Sequence, residues 1–176
     1  MEFFYLLKLP TVGISIAAVW GLIWGSFLNV CILRLPNKVS LVFPNSRCPQ
    51  CLHPIRFFDN IPILSWLFLK GRCRDCKANI SWQYPLVEAV TAVLSVWLYL
   101  KFIFFAQSPM GMSYFVIYFT FFCCLVVLSV IDIYHRLLLN KITIPGTILF
   151  FIVSPLLGQV SWLDAFLGAS LGYGIL

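Results

Sequence analysis

From Leu9 to Leu33 the chain carries no charged residue, and Lys8 and Arg34 bound the run. A hydrocarbon core of ~30 Å needs about 20 apolar residues per helix, so a run of this length reads as a membrane span. It is too long for a signal peptide and its strong charge follows rather than precedes it, which marks a retained first helix. A second run covers Tyr84 to Ala106, interrupted by Glu88 and Lys101, and a third covers Met112 to Ile131. Pro109 and Gly111 turn the chain between them. A fourth runs from Ile142 to Val160, and a fifth starts near Trp162. With 61% hydrophobic and only 10% charged residues, the chain falls well below the roughly 25% charge of a soluble domain. The expected fold is an all-α integral membrane protein, a polytopic bundle of four to five transmembrane helices with the bilayer as its solvent.

Orientation follows from the basic residues, which resist translocation when close to a span. Between Arg34 and Gln83 the chain holds Arg34, Lys38, Arg47, Arg56, Lys70, Arg72, Arg74 and Lys77 against Asp59 and Asp75 alone. That loop is expected to be cytoplasmic, with the N-terminus and the Pro109 turn outside and the His135-Arg136 to Lys141 stretch inside again. The net charge of +6 is then a topology signal that calls for no nucleic-acid partner, with attraction to anionic lipid headgroups as a by-product.

The same loop contains Cys48-Pro-Gln-Cys51 and Cys73-Arg-Asp-Cys76, a C-x2-C-x21-C-x2-C array. Two close thiolate pairs can close a tetrahedral site, so Cys48, Cys51, Cys73 and Cys76 are expected to hold a structural zinc in a small ribbon-like loop. Two disulfides or a redox dithiol are the alternative, disfavoured by a reducing cytoplasm. His53 is a spare ligand that four cysteines make unnecessary. Cys31, Cys123 and Cys124 lie in apolar runs, where cysteine behaves as a small hydrophobe. The apolar segment Ile61 to Leu69 is too short to span and is expected to pack this loop against the membrane surface.

Ionisable residues inside spans are costly and therefore candidates for function. Asp132 ends the third run, and it reads either as an interfacial carboxylate paired with Arg136 at i+4 or as a reactive group. Glu88 is expected to form a structural ion pair with the basic loop, and Asp164 to be solvated on the outer side. Gly21-x3-Gly25 and Gly168-x3-Gly172 are spacings that let helices approach closely.

The ordered set Gly25-Ser-Phe-Leu-Asn-Val-Cys-Ile-Leu-Arg-Leu-Pro36, the two cysteine pairs, Asn60-Ile-Pro-Ile-Leu-Ser-Trp66, Gly71-Arg-Cys73, Ile80-Ser81 and Tyr84-Pro-Leu-Val-Glu88 resembles the bacterial type IV prepilin peptidases. The resemblance runs from about residue 20 onward. It implies residues 1–105 as the N-terminal peptidase region and 106–176 as the start of a membrane aspartic peptidase domain. It also implies location in the bacterial inner membrane, cleavage of type IV prepilins or type II secretion pseudopilins at the cytoplasmic face, and N-methylation of the new N-terminus with S-adenosylmethionine. In that family a catalytic aspartate follows the apolar helix that Asp132 ends, so Asp132 is the expected catalytic residue; Leu139-Asn140 stands where the family more often has Pro-Asp.

Aspartic proteolysis needs two carboxyl groups sharing one proton. The family's second aspartate lies in a Gly-x-Gly-Asp motif, which is absent here; Gly172-Tyr173-Gly174-Ile175 has isoleucine in place of the acid. Asp164 is expected at the opposite face of the membrane, and Asp59 and Asp75 belong to the cysteine loop. The expectation is a chain truncated before its second catalytic aspartate and inert as a peptidase, keeping methyltransferase activity alone or a partner-binding role for the cysteine loop. No G-x-G-x-x-G fingerprint is present, so the methyl donor rests on the resemblance.

Overall fold

The computed structural model describes residues 9–43, 45–106, 109–136, 139–158 and 160–175. The chain divides into two units, Met1–Arg136 and Leu137–Leu176. The first contains α1 (Pro10–Arg34), a short α2 (Leu64–Phe68), α3 (Gln83–Tyr99, continuing as a π-helical stretch Leu100–Phe105) and α4 (Gly111–His135). The second contains α5 (Asn140–Leu156) and α6 (Trp162–Ile175). Among the described residues there is no named strand, only two isolated bridges in the cysteine loop.

Three helices, Pro10–Arg34, Gln83–Phe105 and Gly111–His135, are long and apolar enough to cross a membrane. The apolar α5 has 17 residues, at the short end of the spanning range. The chain is therefore a polytopic helical membrane protein. The expected four to five spans correspond to three long helices and one shorter one, because the described part of α6 has only 14 residues.

Small side chains explain the main interface. Gly13, Ala17, Gly21 and Gly25 recur at i+4 on α1 and are all buried. A Cβ built on Gly21 lies 2.5 Å from the Cα of Ala92, and one on Gly25 lies 2.6 Å from the Cα of Glu88. The backbones of α1 and α3 touch there, as small-residue stripes permit in lipid. The Gly168 and Gly172 pair behaves differently: among the described residues nothing comes within 4 Å of an added Cβ at either position.

On α4 the buried set Phe115, Phe119, Cys123, Val127 and Ile131 also repeats at i+4, giving one continuous packed stripe. Phe102 stacks on Tyr118 at 5.0 Å and Trp97 meets Phe122 edge-on at 6.1 Å, so α3 and α4 run antiparallel. Gly111 starts α4 against the carbonyl of Phe102, where a side chain would collide. In the second unit Ser161 donates to the Asp164 carboxylate at 2.7 Å and accepts the Asp164 N–H at 3.1 Å. The Ser161 hydroxyl thus caps the first turn of α6 while its proton is held by the Asp164 carboxylate, which gives Asp164 a structural task beyond solvation.

Candidate metal centre and catalytic aspartate

Each cysteine pair is held by the same small turn. In the first, the Cys48 N–H donates to the carbonyl of His53, Leu52 N–H to Cys48 and Ile55 N–H to Ser46. The second repeats this with Cys73 N–H to Ala78, Lys77 N–H to Cys73 and Ile80 N–H to Gly71. Leu52 and Lys77, at corresponding positions, both adopt positive φ, 58° and 61°. The bridges Arg47 with Pro54 and Arg72 with Asn79 close the two turns alike. The array is thus one knuckle built twice, which points both thiol pairs at a common centre.

The four sulfur atoms lie within 4.8 Å of one another, and Cys48 Sγ is 3.8 Å from Cys76 Sγ. A tetrahedron with Zn–S bonds of ~2.3 Å has edges of ~3.8 Å, whereas a disulfide needs ~2.05 Å. The cluster can hold a tetrahedral metal ion, and the donor set suits a soft-tolerant cation such as zinc. The Cys51 backbone N–H pulls the Cys48 thiol down to about 7, helped by Gln50 N–H and the neighbouring sulfurs against burial. The His53 N–H lowers Cys51, but burial and the Cys48, Cys76 and Cys73 sulfurs outweigh it and push that thiol up to about 12. His53 is exposed and lies outside the sulfur cluster; its contribution is backbone.

Between the knuckles the chain folds onto the helix ends. Arg74 clasps Asp59 through contacts of 2.6 to 3.1 Å, which hold that carboxyl below its usual range. Arg56 reaches Asp75 at 3.7 Å. Trp66 donates its indole N–H to Ile80 and lies against Trp82 with ring centroids 4.1 Å apart. Gly71, at φ +66°, passes directly over the Trp66 ring, where a Cβ would sit 2.8 Å from the indole. A side chain fits neither the conformation nor the space.

Glu88 corrects a sequence expectation. It forms no ion pair among the described residues; it is 7% exposed, and its Oε2 accepts the Ile63 N–H at 2.7 Å, with Ser26 as a further partner. Ile63 sits at φ 59°, a strained setting for a β-branched residue, directly before α2. Close by, the 2% exposed Asn29 donates to the Tyr84 carbonyl at 3.0 Å and to Gly25. Ser26, Asn29 and Glu88 therefore form a buried polar joint between α1, α3 and the loop. Sequence reasoning weighed Glu88 alone, although a serine and an asparagine near the end of an apolar run carried the same signal.

Asp132 lies in the last turn of α4, one position beyond the buried Ile131 and so just off the packed stripe. Its side chain is exposed. The i+4 pair with Arg136 is not formed: among the described residues no cation lies within ion-pair distance, and Arg136 leaves the helix at φ 51°, its N–H bonded to the Asp132 carbonyl at 2.8 Å. Because α3 and α4 run antiparallel, the last turn of α4 with Asp132 lies at the end of the bundle where α3 begins, the end that carries the cysteine loop. The other acids of this unit among the described residues are engaged: Asp59 with Arg74, Asp75 with Arg56 and Glu88 with Ile63.

Residues 19–102, which include the whole cysteine array, match the bacterial peptidase A24 N-terminal domain. Residues 119–176, which include Asp132, match the type IV leader peptidase family. The chain belongs to the type IV leader peptidase family. Among relatives in this family, the prepilin leader peptidase/N-methyltransferase of Myxococcus xanthus (strain DK1622) is 41% identical over 157 residues, covering 88% of this chain and 44% of that protein. The protein of the same description from Aeromonas salmonicida (strain A449) is 37% identical over 196 residues, covering 96% and 64%. That of Dichelobacter nodosus is 35% identical over 195 residues, covering 96% and 65%. The chain thus spans between 44% and 65% of the length of these relatives. No solved structure matches it.

Proposed function

We propose that the chain acts in the removal of leader peptides from type IV prepilins or pseudopilins and in N-methylation of the new N-terminus, with Asp132 as one carboxylate of the proteolytic dyad. The observation that carries this reading is the position of Asp132: an unpaired, exposed carboxylate in the last turn of a membrane-spanning helix, at the end that bears the cysteine loop. The excess of basic residues in the loop supports a cytoplasmic location for that end. A carboxylate so placed can accept a proton from an attacking water only when a second carboxyl donates to the scissile carbonyl oxygen. Each other described acid of its unit already holds a partner, so among those residues Asp132 stands as half of the dyad.

On this reading Cys48, Cys51, Cys73 and Cys76 hold a structural zinc. Held by these four cysteines, a zinc ion would join both knuckles as one rigid body and would supply structure, not bond cleavage. On this reading the methyl donor is S-adenosylmethionine, which the resemblance to the prepilin peptidases implies; the relatives' names give N-methyltransferase activity without a donor. A methyltransferase role without proteolysis is the second reading; it is favoured by a knuckle that is complete and tied to the bundle through Glu88 and Trp66.

The test is the purified 176-residue chain in detergent with S-adenosylmethionine and two substrates, an intact prepilin and the same pilin already free of its leader. The expected result is that the prepilin keeps its leader while the processed pilin gains one methyl group by mass. Efficient leader removal would show that Asp132 does find a partner within these residues. Failure of both reactions in a zinc-loaded, helical sample would remove the support for either reading.

A further inference from the structure

The edge of the loop from Leu64 to Lys77 presents apolar and basic side chains side by side. Leu64, Leu67 and the 83% exposed Phe68 project from α2. Immediately after it, Lys70, Arg72 and Lys77 line a cleft of about 400 Å³ together with Phe68, Leu69 and Cys73. None of the three cations has a carboxylate within ion-pair distance among the described residues, because Asp59 and Asp75 are taken by Arg74 and Arg56. The basic residues of the loop also outnumber its two aspartates and the charge of a doubly negative zinc tetrathiolate together. The cleft is therefore positive with or without metal.

Its height relative to the bilayer is fixed by two contacts. The Ile63 N–H is bonded to Glu88, five residues into α3 and roughly 8 Å along it at ~1.5 Å per residue. Trp66 lies against Trp82, a 72% exposed tryptophan at the mouth of the same span, the position where indoles mark the headgroup layer. The start of α2 is thus held at or below the level at which α3 enters the membrane. At that level Leu64, Leu67 and Phe68 meet acyl chains, and the cations beside them meet phosphates.

We propose that this edge is seated in the leaflet the loop faces and that the Lys70, Arg72 and Lys77 cleft binds the headgroup phosphate of an anionic phospholipid. Apolar side chains seat the element, the cations select the lipid, and the bound lipid fixes the height of the metal knuckle above the bilayer. Each basic residue at an anionic surface strengthens binding severalfold, so the three together account for on the order of 100-fold.

The experiment is native mass spectrometry of the zinc-loaded full chain in neutral detergent, titrated with dioleoylphosphatidylglycerol or dioleoylphosphatidylcholine. The wild type is expected to bind phosphatidylglycerol on the order of 100-fold more tightly than the Lys70→Gln/Arg72→Gln/Lys77→Gln variant, with phosphatidylcholine binding unchanged. A Lys38→Gln/Arg47→Gln variant, altered outside the cleft, and the charge-preserving Lys70→Arg/Arg72→Lys/Lys77→Arg variant are both expected to bind as the wild type does. Equal phosphatidylglycerol binding by wild type and the triple glutamine variant would overturn the proposal. So would an equal loss in the Lys38/Arg47 variant, a loss in the charge-preserving variant, or displacement of the lipid by millimolar inorganic phosphate, which would mark a site for a soluble anion.

Discussion

A carboxylate can activate water only where water and a second carboxyl can reach it, and Asp132, exposed in the last turn of α4, meets the first half of that requirement. Among the described residues of its unit, no cation pairs with it. If a second carboxyl is supplied, Asp132→Asn is expected to lower leader cleavage by roughly 10²–10⁴-fold while methylation continues, which separates chemistry from folding. Cys48→Ser with Cys51→Ser is expected to leave less than one zinc per chain by elemental analysis and to make the loop protease-sensitive; full zinc in the double variant would remove these ligands from the assignment. Asp59 has a worked pH dependence. Arg74 lowers its folded-state value, so the clasp contributes above the ordinary carboxylate range near ~3.9 and is lost as pH falls through the lowered value. Amide protection in Phe57–Asn60 should hold from pH 7 to about 5 and fall only under stronger acid, whereas Asp59→Asn should lack it throughout. At this scale the cysteines were legible because their spacing alone dictates a closed site. Glu88 was not, because a lone acid beside a basic loop looks like an ion pair until Ile63 is seen to donate to it.

The elements divide into those whose sequence pattern stated their packing and those whose pattern did not. Gly21 and Gly25 on α1 predicted close approach and have it. Gly168 and Gly172 on α6 carry the same spacing with open space above them, because a glycine pair permits an approach without supplying the helix that makes it. The contrast is testable. Gly21→Val forces a side chain into the α3 backbone and is expected to cost about 1–3 kcal/mol or more in detergent unfolding; Gly168→Ala should change little. Glu88→Ala should free Ile63 and release α2, with a loss of about 1–3 kcal/mol for the stranded amide, while Glu88→Gln keeps an acceptor and much of the stability. Proteolysis within the loop reads both. Helix ends were read less well than helix existence: the apolar run closes at Ile131 and Asp132, whereas α4 continues to His135, which sets Asp132 inside its last turn.

At the scale of the molecule, lipid explains why so much apolar surface remains uncovered on α1, α3 and α4, and the polar joint of Ser26, Asn29 and Glu88 explains how the cysteine loop stays attached to a bundle that faces hydrocarbon. The composition announced the membrane, and the order of motifs announced the family; the joint became visible only when residues far apart in sequence were brought to one level. The most direct test of the account joins this chain after Leu176 to the remaining C-terminal part of the Aeromonas salmonicida relative and measures leader removal from a prepilin, with and without Asp132→Asn. The account predicts cleavage by the joined chain, its loss in the variant and methylation in both. Cleavage that persists in the variant would contradict the role given to Asp132.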